Sequence, residues 1–425
     1  MLDRSDNSAA RTTHWGESAH DMAAVAAALQ LSRSVATAVV QLDFDSLPDS
    51  ALVPPGCRRA LVIVRRRDVP VAQFYVAATD AQLDMDEIRR ELEMATVKSR
   101  WRWAVDDYLG LDPPQVVPPA TVAICTRERP EDLTRALKAV AALDPAPAEV
   151  LVIDNAPSTP RTVEVVRSFP SCRYVREDRR GLDAARNRAL AEAGSPVVAF
   201  TDDDAAPEPG WLGALIQPFA DPRVMCATGL TLPLELETEA QEWFERLSPF
   251  GRGFERRLFD GTRDDPVAVA RAGAGANMAL RRSVVEQVGP FDEALDAGTE
   301  TRSGGDHEMF GRILAAGFRI VYEPRAVSWH RHRRTWEELR EAIHGYGVGV
   351  YAMWTRRLIV DGELGVLRHA ARWLRLVQIP RLWRSLRRGP DSIPLYLLLA
   401  ELRCCCAGPQ AYAAARRRLR GSAGA

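Results

Sequence analysis

Pro196-Val197-Val198-Ala199-Phe200-Thr201-Asp202-Asp203-Asp204 is the stretch on which the reading of this chain turns. A short apolar run of strand character ends in three consecutive acids. Adjacent carboxylates repel one another and are costly to desolvate. A bound divalent cation removes that cost, and an all-oxygen start to the site suits Mg²⁺ or Mn²⁺. Side chains alternate along a strand. If the strand continues, Asp202 and Asp204 share a face and can hold one cation, while Asp203 points away, toward a ribose or structural groups. The plainer alternative is a solvated acidic turn, with Pro207 and Pro209 close behind.

Outward from this run, short apolar segments alternate with helical ones. Thr121–Cys125, Val150–Ile153, Arg173–Val175 and Val197–Thr201 read as strands. Glu131–Leu143, Arg161–Phe169, Leu182–Ala193 and the region of Trp211–Phe219 read as helices. That alternation predicts an α/β fold, a mostly parallel sheet flanked by helices. Ligands in such sheets bind beyond the carboxyl ends of the strands. Here those ends read Thr126-Arg127, Asp154-Asn155 and Asp202-Asp203-Asp204.

The domain division follows from composition. Residues 1–20 are polar and are expected to be disordered. Residues 21–111 read as a small α+β unit, with Ala60–Val64 and Val71–Val76 forming a hairpin around Asp68 and Pro70. A Pro-rich linker occupies 112–120, the main α/β domain 121–340, and a helical, basic region 341–425. The chain has 425 residues, 46% hydrophobic and 27% charged, with a net charge of −1. That composition excludes a wholly disordered chain and gives no reason to expect a nucleic-acid partner. Seven cysteines with no CxxC spacing argue for free thiols in a reducing, cytoplasmic setting. No N-terminal apolar leader and no membrane span is evident.

Three further clusters carry chemistry. His330 and His332, within Trp329–Arg334, follow a strand-like run, and His330 is preferred as a further metal ligand because it lies nearer the apolar body. Gly304-Gly305-Asp306-His307-Glu308 opens a helix. Asp306 at its entrance could accept a proton from a hydroxyl, and Glu308, two residues on, needs a different job, fixing the loop or an acceptor. Ordinary helix capping by Asp306 competes with that reading. Arg179–Asn187 is a basic segment leading into a helix, suited to phosphates. Asp154 and Asn155 could bond a base or a ribose. Gly273-Ala274-Gly275-Ala276-Asn277 lacks the full spacing of a dinucleotide loop.

In this order the pieces resemble the family 2 glycosyltransferases, which have the GT-A fold. The matching motifs are Cys125–Pro130, Val152–Asn155, Gly181–Asn187, Phe200–Asp204, Gly275–Met278, Gly304–Glu308 and His330, over about 120–335. The resemblance implies that Thr126, Arg127, Asp154 and Asn155 line a nucleoside pocket and that Arg186 and Asn187 sit near the donor. It implies that Asp202 and Asp204 bind ribose and the metal–diphosphate, that His330 joins them, and that Asp306 is the general base. The implied reaction is a metal-assisted, inverting transfer of a hexosyl group from a nucleotide-diphosphate sugar, UDP- or dTDP-linked, to an acceptor hydroxyl. The Gln-x-x-Arg-Trp motif of processive members is missing, so a single transfer per encounter is expected.

Between Leu364 and Ala425 there are twelve arginines against two acids, with Leu367, Ala370, Leu374 and Val377 on one helical stripe and Trp373 and Trp383 interleaved. Such a pattern suits a membrane surface, and with it a lipid-linked acceptor and a peripheral place at the inner face of the membrane. A helical cap on the main domain is the bland alternative. Two other functions stay open: a nucleotidyltransferase acting on a sugar phosphate, and an inactive nucleotide-sugar-binding protein.

Overall fold

The computed structural model describes residues 36–109, 117–387 and 395–422. The segment 1–35, which includes the expected disorder of residues 1–20, lies outside the described residues, as does most of the Pro-rich linker.

The first unit is a four-stranded sheet, β1 (Thr37–Asp43), β2 (Arg59–Arg66), β3 (Val69–Thr79) and β4 (Gln82–Leu83), in that spatial order, with helix α1 (Met85–Leu109) against it. The β2–β3 hairpin is tighter than its sequence suggested. Both strands run on to leave only Arg67 and Asp68 in the turn, at φ 49° and 63°, the left-handed pair that matches strand twist. Val62, Val64, Val76, Ile88 and Leu92 form its core.

The main domain contains β5 (Ala120–Thr126), α2 (Pro130–Ala141), β6 (Glu149–Asn155), α3 (Arg161–Arg167), β7 (Cys172–Glu177), α4 (Leu182–Glu192), β8 (Val197–Asp202), β9 (Ala205–Pro207) and α5 (Trp211–Ile216). It continues through β10 (Val224–Pro233), α6 (Glu239–Leu247), β11 (Arg257–Asp260), β12 (Asn277–Arg281), α7 (Val284–Gln287), α8 (Gly305–Ala315) and β13 (Arg319–His330). The strands form one sheet in the order β11-β13-β10-β12-β8-β5-β6-β7, with β9 paired to β13. Strands β8, β5, β6 and β7 are mutually parallel. Beyond β8 the sheet is mixed, because β12 pairs antiparallel to both β8 and β10.

Strand alternation feeds two apolar layers. Val122, Val152 and Ala199 pack under Leu133 and Leu137 of α2 and Trp211 of α5. Leu151, Ile153 and Phe200 face Ala185 and Ala189 of α4 and Met309 and Phe310 of α8. Burial on both faces is why these strands read as continuous apolar runs. Each buried Leu or Ile contributes about 1.5–3 kcal/mol.

The chain closes with helices α9 (Trp336–Ile359), α10 (Gly365–Trp373), α11 (Ile379–Leu386) and α12 (Leu395–Ser422). Thr335 and Glu338 form a capping box at the start of α9, as Thr238 and Gln241 do for α6. Among the described residues no helix is long and apolar enough to cross a membrane.

Candidate functional site

The acidic run does not continue as a strand. Strand β8 ends at Asp202, Asp203 and Asp204 form a turn, and the chain resumes as β9 against β13. The turn, rather than the strand pleat, separates the three carboxylates. Asp203 turns toward β5, where Thr126 Oγ1 donates to it at 2.7 Å and Arg129 Nη1 at 3.1 Å. Asp204 faces the end of β13, with His330 Nε2 at 3.1 Å. Ligand atoms of Asp202, Asp204 and His330 all lie within 4.8 Å of one another. Two carboxylates and one imidazole form a donor set that fits a hard or borderline divalent cation.

The two histidines have different environments. His332 Nε2 lies 2.9 Å from Glu245 Oε2, and its Nδ1 lies 3.3 Å from His330 Nδ1. An ionised carboxylate only accepts, so Glu245 places the proton of a neutral His332 on Nε2. The His332 Nδ1 then accepts from His330 Nδ1–H, which leaves His330 Nε2 facing Asp204; a proton on Nε2 joins it to that carboxylate, and a bound cation would take the proton's place. His332, stacked on Phe244 at 4.4 Å, is held uncharged by burial, which lowers its pKa.

The charges of the triplet are uneven. Burial, then the neighbouring Asp204, raises the pKa of Asp202. Burial pushes Asp203 up to about 6, against the pull of Arg129. At Asp204 burial is outweighed by His330, Arg333 and Arg129, which hold its carboxyl well below the usual range. Arg129 and Arg333 reach Asp204 at 3.2 and 3.4 Å.

Asp306 stands at the entrance of α8, after Gly304 at φ 105°. The backbone N–H groups of Gly275 and His307 donate to its two oxygens, each at 2.7 Å. Burial opposes ionisation there, but the charges of His307 and Arg186 and these two donors prevail, and its pKa is lowered. Arg186 and Tyr346 each feel the charge of both Asp202 and Asp306, which places the two acids near one another. A side chain at Gly305 would come within 1.9 Å of Asp183 Oδ2, and one at Gly275 within 2.6 Å of Arg186 Nη2. Gly305 lets α8 close against α4, and Gly275 lets the loop before β12 pass beside Arg186 and Asp306.

Other expected site residues are placed differently from one another. Glu308 is not brought to the rim. It is fully buried, bonded by Arg312 Nε at 2.7 Å and Arg356 Nη1 at 2.8 Å. Two residues along a helix from Asp306, it faces the packing side, which corrects the expectation that it joins the chemistry or fixes an acceptor. Asn155 is spent on the backbone: its amide donates to Arg179 O at 2.8 Å and accepts from Gly181 N at 2.9 Å. Asn187 likewise pins Phe291 through both backbone groups. Neither amide is directed at a ligand. Arg186 is buried between Asp183 at 3.0 Å and Asp296 at 2.7 Å. Asp154 accepts from Tyr174 at 2.9 Å, and its buried Oδ1 has no partner; burial raises its pKa. Arg127, directly after Thr126, is exposed. Sequence reasoning missed Arg129, Glu245, Asp296 and Arg333. Arg129 and Arg333 lie within Cys125–Pro130 and Trp329–Arg334, where the pattern gave them no separate task, and Glu245 and Asp296 carry no local signal.

Residues 121–289 match the family model described as Glycosyl transferase family 2. The chain is 33% identical over 172 residues to a pre-mycofactocin glycosyltransferase of Mycobacterium tuberculosis, covering 39% of this chain and 34% of that protein. It therefore spans about a third of the length of that relative. It is 24% identical over 306 residues to the glycosyltransferase AglE of Haloferax volcanii, covering 68% of this chain and 93% of that one. Among solved structures, a mannosyltransferase from Pyrobaculum calidifontis in complex with GDP-Man and Mn²⁺ is 19% identical with a TM-score of 0.42, covering 76% of this chain and 82% of that one. The domain that opens at Thr121 thus carries a match to glycosyl transferase family 2 over residues 121–289.

Proposed function

We propose that this protein transfers a hexosyl unit from a nucleotide-diphosphate sugar, UDP- or dTDP-linked, to an acceptor hydroxyl, once per encounter and with inversion. The observation that carries the reading is the convergence of Asp202, Asp204 and His330, with Asp306 near Asp202. A divalent cation there, Mn²⁺ by preference for the mixed oxygen and nitrogen donors, would supply charge for the leaving diphosphate.

Each residue then has a task. Asp202, Asp204 and His330 hold the ion's place, with Arg129 and Arg333 adding positive charge around Asp204. Thr126, Arg127 and Asp154 border the nucleoside, the unpartnered Oδ1 of Asp154 offering an acceptor. Asp203 positions Thr126 and Arg129. Asp306, ionised at neutral pH, accepts the acceptor's hydroxyl proton as that oxygen bonds to the anomeric carbon and the bond to the diphosphate breaks. No covalent enzyme intermediate is required.

The test is thermal stability with UDP, dTDP and GDP, with and without Mn²⁺, followed by product analysis. Metal-dependent stabilisation that disappears in Asp204→Asn is expected, with nucleoside diphosphate as the released product. Stabilisation equal without metal would falsify the site as drawn. Pyrophosphate release would identify a nucleotidyltransferase, and donor binding with no turnover an inactive binder. For Asp306→Asn, donor binding should persist with transfer slowed at least a hundredfold.

A further inference from the structure

Between the N-terminal unit and the main domain lies a cleft of about 1190 Å³. One wall comes from α1 and β3, with Lys98, Arg102 and Trp103. The other comes from the 247–257 loop, residues 270–271 and the bend of β13. Its lining carries seven basic side chains, Lys98, Arg102, Arg252, Arg256, Arg257, Arg271 and Arg325, against two acids, Glu255 and Glu323.

Both acids are already engaged. Glu323 lies 2.8 Å from Arg325 and 3.4 Å from Arg256. Glu255 is 3.9 Å from Arg102. Among the described residues, Lys98, Arg252, Arg257 and Arg271 have no carboxylate within salt-bridge distance. Arg252 is held by backbone carbonyls, its Nε on Ala270 O at 2.8 Å and its Nη1 on Pro249 O and on Gly251 O at 3.1 Å, which leaves Nη2 for a ligand. Burial lowers the pKa of Arg252 and, with the repulsion of Arg271, that of Arg257. Guanidinium groups gathered without counter-charge are unfavourable by themselves, and a multiply charged anion relieves them.

The cleft also lies near Asp306. Arg271 is four residues from Gly275, whose N–H holds Asp306 at 2.7 Å, an extended reach of at most about 14 Å. Arg252 feels the charge of Asp306. A small acceptor with its hydroxyl at Asp306 can therefore place an anionic group among these arginines.

We propose that this cleft binds the phosphate groups of a phosphate-bearing acceptor, an assignment that rests on reading the chain as a sugar transferase. The phosphate oxygens lie against Arg257, Arg271 and Nη2 of Arg252. The N-terminal unit then contributes directly to acceptor choice.

Binding of inorganic pyrophosphate to the full chain, measured by calorimetry in EDTA, tests the assignment. Wild type should bind one equivalent, more weakly as salt rises. The double variant Arg257→Ala/Arg271→Ala should bind at least tenfold more weakly with an unchanged or higher Tm, since it removes a repulsion. Asp204→Asn should bind pyrophosphate as wild type does. The proposal is overturned if wild type does not bind, if the double variant binds equally, or if Asp204→Asn alone abolishes binding. Farnesyl diphosphate separates the sources of phosphate. Tighter binding than pyrophosphate supports a lipid-borne group, and equal binding supports a soluble or sugar-borne one. Stabilisation by UDP with Mn²⁺ is read in parallel. Its loss in wild type would sink the transferase reading and leave the cleft measurement standing.

Discussion

At the scale of single residues, the chain Glu245, His332, His330, Asp204 is the feature most open to test. Only the ends of the chain are charged by nature, so its order depends on which nitrogen carries each proton. In Glu245→Gln the amide can donate as well as accept, so the tautomer of His332 is no longer imposed. Mn²⁺ affinity, followed by calorimetric or paramagnetic titration, should fall about 10–100-fold with the Tm nearly unchanged. Affinity equal to wild type would mean the relay does not orient His330. Glu308 offers the opposite case, an acid whose motif position suggested chemistry and whose surroundings are those of a buried ion pair. Glu308→Ala leaves Arg312 and Arg356 without their shared carboxylate, at a cost of about 3–5 kcal/mol. Denaturant unfolding should show that loss, with any drop in turnover following it. A stable but inactive Glu308→Gln would instead return Glu308 to the chemistry.

At the scale of elements, the turn after β8 and the entrance of α8 build the site, and the C-terminal helices brace it. Helix α10 packs Val366 against Met353 and Trp354 of α9, and His369 sits edge-on to Trp354 with ring centroids 5.6 Å apart. Burial lowers the pKa of His369, Arg372 adding to the effect and Asp265 opposing it. A histidine depressed in the fold binds fewer protons there than in the unfolded chain. Its contribution is therefore complete above the unfolded value of about 6.5 and is lost as pH falls toward the folded one. Between pH 7 and 5 the Tm of wild type should fall more than that of His369→Gln. The other histidines titrate in both proteins, so the difference isolates this contact. Parallel Tm curves would show that His369 does not sense pH.

At the scale of the whole molecule, the N-terminal unit shares a core with the main domain. Ile63 of β2 packs with Leu230, Leu232, Tyr322 and Val327. Arg65 holds Glu208 through two bonds of 2.7 Å, and Trp329 Nε1 donates to the same carboxylate at 2.9 Å. Glu208 directly follows β9, so the unit buttresses the strand that leaves the acidic turn. The C-terminal helices form a cap and an exposed face together. Val366 and Trp373 are directed inward, while Leu364, Leu367, Leu376, Trp383 and Leu386 are each more than half exposed, with Arg368, Arg372, Arg375, Arg384 and Arg387 among them. Membrane-surface contact through this face is our proposal. Flotation should recover the protein with vesicles containing phosphatidylglycerol and not with phosphatidylcholine alone. Leu376→Glu/Trp383→Glu should abolish the interaction without lowering the Tm. Equal recovery of that variant would assign the face another role.

The α/β class and the strand–helix order of 121–220 were legible in the amino-acid sequence because burial on both faces writes continuous apolar runs such as Val150–Ile153. Asp202 and Asp204 are expected on one face by strand alternation, with His330 beside them; a turn, and not the pleat, brings these three within reach of one another. What remained hidden was decided at long range. Glu245 reaches His332 from helix α6, 87 positions earlier, Asp296 meets Arg186 across 110 positions, and Glu308 turns toward Arg356 rather than the rim. Local pattern carries information about a residue's own element, through periodicity and capping. It carries none about which charges a distant segment will bring to face it, and in a low-dielectric interior those partners decide whether an acid is a ligand, a base or a strut.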